Sequence, residues 1–299
     1  MRKLILAAIA AVAVLGSHQN AQAEAVQIKK DSLALNGNLA MASGKSVKDG
    51  VVLITHGTLA HNGMEVIKAM QAGLAERGFN SLAITLGLGL DNRQGMYDCA
   101  VPHKHKHTDS LDEIGAWMGW LKAEGVSKVV LMGHSRGGAQ TALFAAERPN
   151  PLVSKVVLLA PMTYDEKAAS ASYQARYGKP LAEPLAKASA LIKAGKGGEM
   201  MKDTGFIYCP GATASAASFV SYYQPDPRLG VVAPLSRIKA PTLVIAAAND
   251  EVVKGLLEMV KPLADGKTVK LVTVPNADHF FLDLAADDAA DAIKAFIGE

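Results

Sequence analysis

The stretch Val129-Val130-Leu131-Met132-Gly133-His134-Ser135-Arg136-Gly137-Gly138 constrains this chain more than any other. An apolar run ends at a G-x-S-x-G pentapeptide, and an alanine-rich helical pattern (Ala139, Ala142, Leu143, Ala145, Ala146) begins at once. Strand, sharp turn and helix in that order hold a serine at the tip of a strained turn, where its hydroxyl can serve as a nucleophile. Such a turn brings backbone segments so close that side chains two places either side of Ser135 have no room. Gly133 and Gly137 stand at those two places.

The rest of the chain supplies a sheet to which that turn belongs. Val26 to Lys30 and Leu33 to Met41 read as two short strands around Asp31-Ser32, with a further turn at Asn36-Gly37-Asn38, and suit an antiparallel edge. Val51 to Thr55 is a short apolar run fit for a strand buried on both faces. Helical periodicity over Met64 to Arg77 stops at Gly78, and Ser81 to Thr85 follows as a strand. Ser110 to Glu124 carries an apolar stripe (Leu111, Ile114, Met118, Leu121); Ser110 and Glu113 have capping-box spacing, and Gly125 ends the helix. Lys128 to Met132, Val153 to Ala160, Thr242 to Ala247 and Val269 to Val274 complete the apolar runs, with helices expected over Gln140 to Arg148, Val252 to Leu263 and Ala285 to Ile297. Apolar runs alternating with helices predict an α/β fold, a mostly parallel doubly wound sheet with right-handed crossovers. Ligands of such sheets sit beyond the carboxyl ends of the strands.

One segment breaks the rhythm. The chain between Ala160 and Thr242 is far too long for a simple connection. It reads as helices over Asp165 to Arg176 and Leu181 to Ala194, an extended stretch over Met200 to Cys209, and a returning helix over Ala212 to Tyr223. This is expected to be a helical cap inserted at about residues 162–238, over the site, rather than a second domain. Its apolar and aromatic residues (Met200, Met201, Phe206, Tyr208, Phe219, Tyr222, Tyr223) suggest either a partly apolar acyl or alcohol group on the substrate or simply a core.

A serine hydroxyl needs a base to take its proton, and the base needs an acid to orient it. In a sheet of this kind the order is Ser, then Asp or Glu, then His, each just past a strand. Asp250 stands past the Thr242–Ala247 strand, and His279 lies in the loop after Val269–Val274, ahead of the last helix. Glu251 adjoins Asp250 but points elsewhere if a helix begins there. Asp278 adjoins His279 and suits a loop-capping role. The developing oxyanion needs two backbone N–H donors. One is that of Arg136, directly after the serine. The other is expected from the loop after the first parallel strand, His56-Gly57-Thr58, with Thr58 N–H as donor, Gly57 letting the backbone approach, and His56 supporting the loop by hydrogen bonding.

These residues resemble the α/β-hydrolase family, in the lipase/esterase and serine-aminopeptidase-like branch where the oxyanion loop reads H-G-x. The matching pieces are His56-Gly57-Thr58, Gly133 to Gly137, Asn249-Asp250 and Asp278-His279-Phe280, over a span from Val51 to Ile297 that excludes the cap. The resemblance implies a Ser135–His279–Asp250 triad and acyl-enzyme chemistry with no cofactor. The continuation Leu59-Ala60-His61-Asn62-Gly63 lacks the Gly-Glu-His of monoglyceride-lipase-like members and does not point to a glyceride substrate.

The N-terminus reads as an export signal: Arg2 and Lys3, an apolar run from Leu4 to Gly16, and Ala21-Gln22-Ala23 as cleavage site. The run is shorter than the roughly 20 residues a spanning helix needs. Cleavage after Ala23 would leave a periplasmic or secreted protein of residues 24–299 with no membrane span. Loss of Arg2 and Lys3 lowers the formal net charge from +3 to +1 and leaves no electrostatic footprint for nucleic acid. In an oxidising compartment Cys99 and Cys209, the two cysteines, are expected to pair. His103, His105 and His107 alternate with Lys104 and Lys106; with no carboxylate or cysteine at ligand spacing, a solvated loop is expected rather than a metal site. Leu86 to Tyr97 follows a strand beside the expected site, and reads equally as a substrate contact or a flexible loop. The functional expectation is an exported serine hydrolase acting on an ester, thioester or similar small acyl substrate. The alternatives are a non-catalytic binding or accessory protein on the same scaffold, and a serine aminopeptidase-like peptidase that anchors a substrate amine on an acid such as Glu199 or Asp203.

Overall fold

The computed structural model of the chain describes residues 23–299; the export signal expected over residues 1–23, apart from Ala23, lies outside the described residues. Eight strands form the main sheet. In chain order they are β1 (Glu24–Lys30), β2 (Leu33–Ala40), β3 (Val51–Thr55), β4 (Asn80–Thr85), β5 (Val129–His134), β6 (Val153–Leu159), β9 (Thr242–Ala247) and β10 (Val269–Val274). A separate hairpin pairs β7 (Met200–Phe206) with β8 (Cys209–Ser215). The spatial order is β1-β2-β4-β3-β5-β6-β9-β10; β1 and β2 are the antiparallel edge, and all pairings from β4 onward are parallel.

The apolar runs are buried on both faces because their alternate residues feed two different cores. Val51, Leu53, Val129 and Leu131 point to the face covered by α2 (Asp109–Ala123) and α3 (Arg136–Glu147). Val52, Ile54, Val130 and Met132 point to the face covered by α1 (Glu65–Glu76) and α9 (Leu284–Gly298). The register places Thr55 beside Gly133 and Ala247 beside Val274, so the carboxyl ends of β3, β5, β9 and β10 open on one rim.

The insertion between β6 and β9 contains α4 (Glu166–Tyr177), α5 (Ala182–Lys193), the β7–β8 hairpin, α6 (Ala216–Tyr223) and α7 (Val232–Leu235). It is sewn to the loop between β4 and α2. Cys99 and Cys209 form a disulfide with Cα atoms 5.3 Å apart. His103 N–H donates to Thr213 O at 2.8 Å, and Ser215 N–H donates to His103 O at 2.9 Å. Ser221 Oγ accepts from His107 N–H at 2.7 Å.

Four local expectations are corrected. Asn36-Gly37-Asn38 is not a turn but the middle of β2, paired on one side with β1 and on the other with β4. Ser110 and Glu113 form no capping box. The helix starts a residue earlier, and the two side chains reach His107 O and Gly87 N–H instead. Ala212 to Ser215 belongs to β8 rather than to a helix, because its backbone is bonded both to β7 and to His103. Val252 to Leu263 is helical only over α8 (Leu256–Val260) and a 3₁₀ turn, since the backbone just past Asp250 folds around its carboxylate.

Candidate active site

Ser135 sits between β5 and α3 at φ 57°, ψ −125°, a conformation an L-residue holds only when its surroundings impose it. Three anchors impose it here. Its N–H donates to Leu159 O at 3.0 Å, and its carbonyl accepts from Gly138 N–H and Met162 N–H, both at 2.9 Å. The flanking glycines are required by close approach: a Cβ on Gly137 would be driven into the carbonyls of Thr55 and His56, and one on Gly133 into Gly137 O and Thr141 Oγ1.

His279 Nδ1 is hydrogen-bonded to Asp250 Oδ2 at 2.8 Å, with both side chains 6% exposed. The other carboxylate oxygen of Asp250 accepts from the N–H groups of Val252 and Val253, each at 2.8 Å. Burial favours the neutral acid, but His279 and these two amides outweigh it and hold Asp250 below the usual carboxylate range. With Nδ1 engaged, Nε2 is the ring nitrogen left to exchange a proton. Pairing of β9 with β10 brings the two loops together, reinforced by Asn249 N–H donating to Ala277 O at 2.9 Å. Glu251 is turned away and pairs with Lys254 at 2.6 Å, while Asp278 caps its own loop by accepting from Phe280 N–H at 2.9 Å.

His134, next to the serine, was not singled out by sequence reasoning. Its Nε2–H donates to His279 O at 2.8 Å, and the two rings lie 4.8 Å apart, so one side chain fixes the histidine loop against the elbow. Burial lowers its pKa to about 4 and keeps it neutral. Its adjacency to Ser135 was the only hint in the sequence.

The expected oxyanion loop lies against the elbow: a Cβ on Gly57 would stand 3.2 Å from Ser135 Cβ. Arg136 is the first residue of α3, so its N–H has no carbonyl to bond within the helix and sits at the positive end of the helix dipole. Thr58 Oγ1 accepts from Arg136 Nε at 3.1 Å, linking the two residues named as donors. His56 is buried; its Nδ1–H donates to Gly57 O at 2.8 Å and its Nε2 accepts from Leu86 N–H at 3.0 Å. Burial, then the nearby Arg93 cation, lower its pKa to about 3.

Arg93 was also missed, lying in a stretch whose sequence reads equally as substrate contact or flexible loop. It is buried, and donates to Leu86 O at 2.8 Å, to Ala60 O at 2.7 Å and to Gly95 O, with Nη2 also 3.2 Å from His56 Nε2. The guanidinium thus ties the loop over Leu86 to Tyr97 to the loop over His56 to Ala60. Burial lowers its pKa to about 10, against the attraction of Glu113, whose own carboxyl burial pushes up to about 7.

The histidine row departs from expectation. His103, His105 and His107 are all fully buried rather than solvated, because the backbone joins β8 and the rings pack on Tyr97, Phe206 and Tyr222. Among the described residues no group of three or more His, Cys, Asp or Glu side chains is disposed to hold a metal ion. Of the two readings of the insertion's apolar residues, core fits most of them. Met201, Phe206 and Phe219 are buried in the cap's own core with Tyr173, while Tyr208 is exposed and carries Arg176 on its ring at 4.0 Å. Glu199 and Asp203 are both exposed.

No helix among the described residues is long and apolar enough to cross a membrane. Compared by sequence with curated proteins, the chain matches none. Among solved structures it resembles Est1E from Butyrivibrio proteoclasticus, at 21% identity over 91% of this chain and 97% of that one, with a TM-score of 0.60. It also resembles E-2-(acetamidomethylene)succinate hydrolase, at 20% identity over 93% and 100% of the two chains, TM-score 0.58. An esterase of Pyrococcus furiosus matches at 17% identity over 93% and 91%, TM-score 0.59. At these identities each likeness is one of fold. The family model described as alpha/beta hydrolase family matches residues 51–293, from the first strand of the parallel sheet to the last helix. With its parallel sheet, serine elbow and inserted cap all inside or spanned by that match, the chain belongs to the alpha/beta hydrolase family.

Proposed function

We propose that this protein is an exported serine hydrolase that cleaves an ester, thioester or similar small acyl substrate. The observation that carries the reading is the buried His279–Asp250 pair, bonded at 2.8 Å and anchored by His134 against the strained serine turn. In this reading His279 Nε2 takes the Ser135 Oγ proton as the oxygen attacks the acyl carbon. Asp250 holds the tautomer that leaves Nε2 free and stabilises the imidazolium. The N–H groups of Thr58 and Arg136 receive the oxyanion. His279 then protonates the leaving group, and a water activated by the same ring releases the acid and restores Ser135. His56, Gly57 and Arg93 position the oxyanion loop.

Structural neighbours that include a hydrolase and an esterase agree with this chemistry. The Arg2–Ala23 pattern supports export, and the Cys99–Cys209 disulfide suits an oxidising compartment. The test is covalent labelling of the mature protein with a fluorophosphonate, followed by an ester panel of graded acyl length. Labelling of the native protein that vanishes in Ser135→Ala is expected; an unlabelled native protein, or label surviving the substitution, overturns the proposal.

A further inference from the structure

The side chain of Arg136 serves no purpose that the hydrolytic steps above require. Its Nε donates to Thr58 Oγ1 at 3.1 Å, and its Cζ lies 5.3 Å from the centre of the Tyr222 ring. The guanidinium is therefore held between the oxyanion loop and the cap, one side chain's length from the nucleophile. It is half-buried, yet among the described residues no carboxylate lies within 4.0 Å of it. The other arginines differ. Arg77, Arg148, Arg228 and Arg237 each reach an acid, Arg93 is spent on carbonyls, and Arg176 is exposed on Tyr208.

A guanidinium offers five N–H donors in a planar fork; with only Nε engaged by Thr58 Oγ1, the Nη edge of Arg136 keeps donors for an anion. The acids that act on the neighbouring Tyr222 and His107 are already engaged: Asp226 by Arg228 at 2.7 Å, Glu113 by Gly87 N–H at 2.6 Å and Asp109 by Lys106 N–H at 2.7 Å. The platform beneath is fixed, since the Tyr222 hydroxyl is hydrogen-bonded to His105 Nδ1 at 2.8 Å and His105 Nε2 to His103 Nδ1 at 3.2 Å. All three histidines are buried and neutral, so they add no second cation. A single planar cation fits a carboxylate, which it can grip bidentately, better than a dianionic phosphate.

Resting on the acyl-hydrolase reading, we infer that the substrate is a monoanion: an acyl compound bearing a carboxylate close to the scissile carbonyl, bound by the Nη edge of Arg136. The histidine row then has a purpose as the buried support of Tyr222, on which that guanidinium lies.

The test compares p-nitrophenyl hemiglutarate with its methyl-capped, neutral counterpart on the mature protein. The readout is the ratio of the two kcat/KM values, which cancels any effect of Arg136 substitutions on folding or on the oxyanion amide. The native enzyme is expected to favour the anionic ester. Arg136→Gln should lower the ratio roughly 10- to 100-fold, mainly through KM, and Arg136→Lys should restore part of it. A ratio near one in the native enzyme, or one that Arg136→Gln leaves unchanged, overturns the inference while turnover of the neutral ester leaves the hydrolase reading intact. A second arm is independent of turnover: calorimetric binding of monomethyl glutarate to Ser135→Ala protein, with and without Arg136→Gln. Weakening by about tenfold or more supports the inference even if neither ester turns over; equal binding of dimethyl glutarate overturns it.

Discussion

At the scale of single residues, Asp250 shows how little freedom the site leaves. Its carboxylate accepts three N–H groups, one from His279 and two from the backbone of Val252 and Val253. An asparagine has one acceptor oxygen, so Asp250→Asn must abandon either the imidazole or the loop that presents it. Turning an amide N–H toward His279 Nδ1 also favours the wrong tautomer. The expected outcome is a fall in kcat of about 10⁴-fold with little change in KM, as for the same substitution in other triads. Steady-state kinetics on the best ester of the panel checks it, and a loss under tenfold would remove Asp250 from the mechanism. The sequence favours Asp250 over Glu251 on the expectation that a helix begins there. No helix starts before Leu256; instead the chain past Asp250 curls around its carboxylate and leaves Glu251 in solvent with Lys254.

At the scale of elements, the insertion is tied at several points to the loop between β4 and α2. The disulfide closes a sequence separation of 110 residues, and beside it the His103 bridge and the Ser221 and Tyr222 contacts stitch the same two segments. In the chain-entropy account, cross-linking a loop of that size is worth on the order of 4–5 kcal/mol. Cys99→Ser with Cys209→Ser is therefore expected to lower unfolding stability by several kcal/mol, measured by urea titration beside the native protein with and without reductant. A loss below about 1 kcal/mol would show that the backbone bridge holds the insertion unaided. The corrected elements follow one rule. Gly37 and Ala212 to Ser215 carry turn-like or helix-like residues but became strands, because backbone partners distant in sequence (Ile84 of β4 and His103) decided their conformation.

At the scale of the whole molecule, His56, His103, His105, His107 and His134 are buried with pKa values lowered to about 3 or 4, in each case chiefly by burial. Unfolding returns them to about 6.5, so between roughly pH 6.5 and 4 the unfolded chain binds more protons than the folded one. Stability therefore rises with pH through that window, is fully present above it, and is lost on acidification. At pH 5 the loss is on the order of 2 kcal/mol for each histidine. Urea midpoints at pH 7.5 and pH 5.0 should differ sharply, whereas equal midpoints would mean that these rings are not held neutral.

What the sequence determined by itself is whatever depends on neighbours along the chain. The apolar runs, the glycines at Gly133 and Gly137 and the order of Ser135, Asp250 and His279 are local signals, because a strand, a tight turn and a loop at a strand's end are specified within a few residues. Only the tertiary structure decided the buried polar chemistry. That Arg93 braces the His56–Ala60 loop, that His134 anchors His279, and that three histidines alternating with lysines form a buried row beside Tyr222 each depends on carbonyls, rings and helices contributed from distant parts of the chain. A histidine or arginine carries the same letters whether it faces water or a carbonyl; desolvation and hydrogen-bond partners, which exist only once the sheet and its cap have closed, decide which it is.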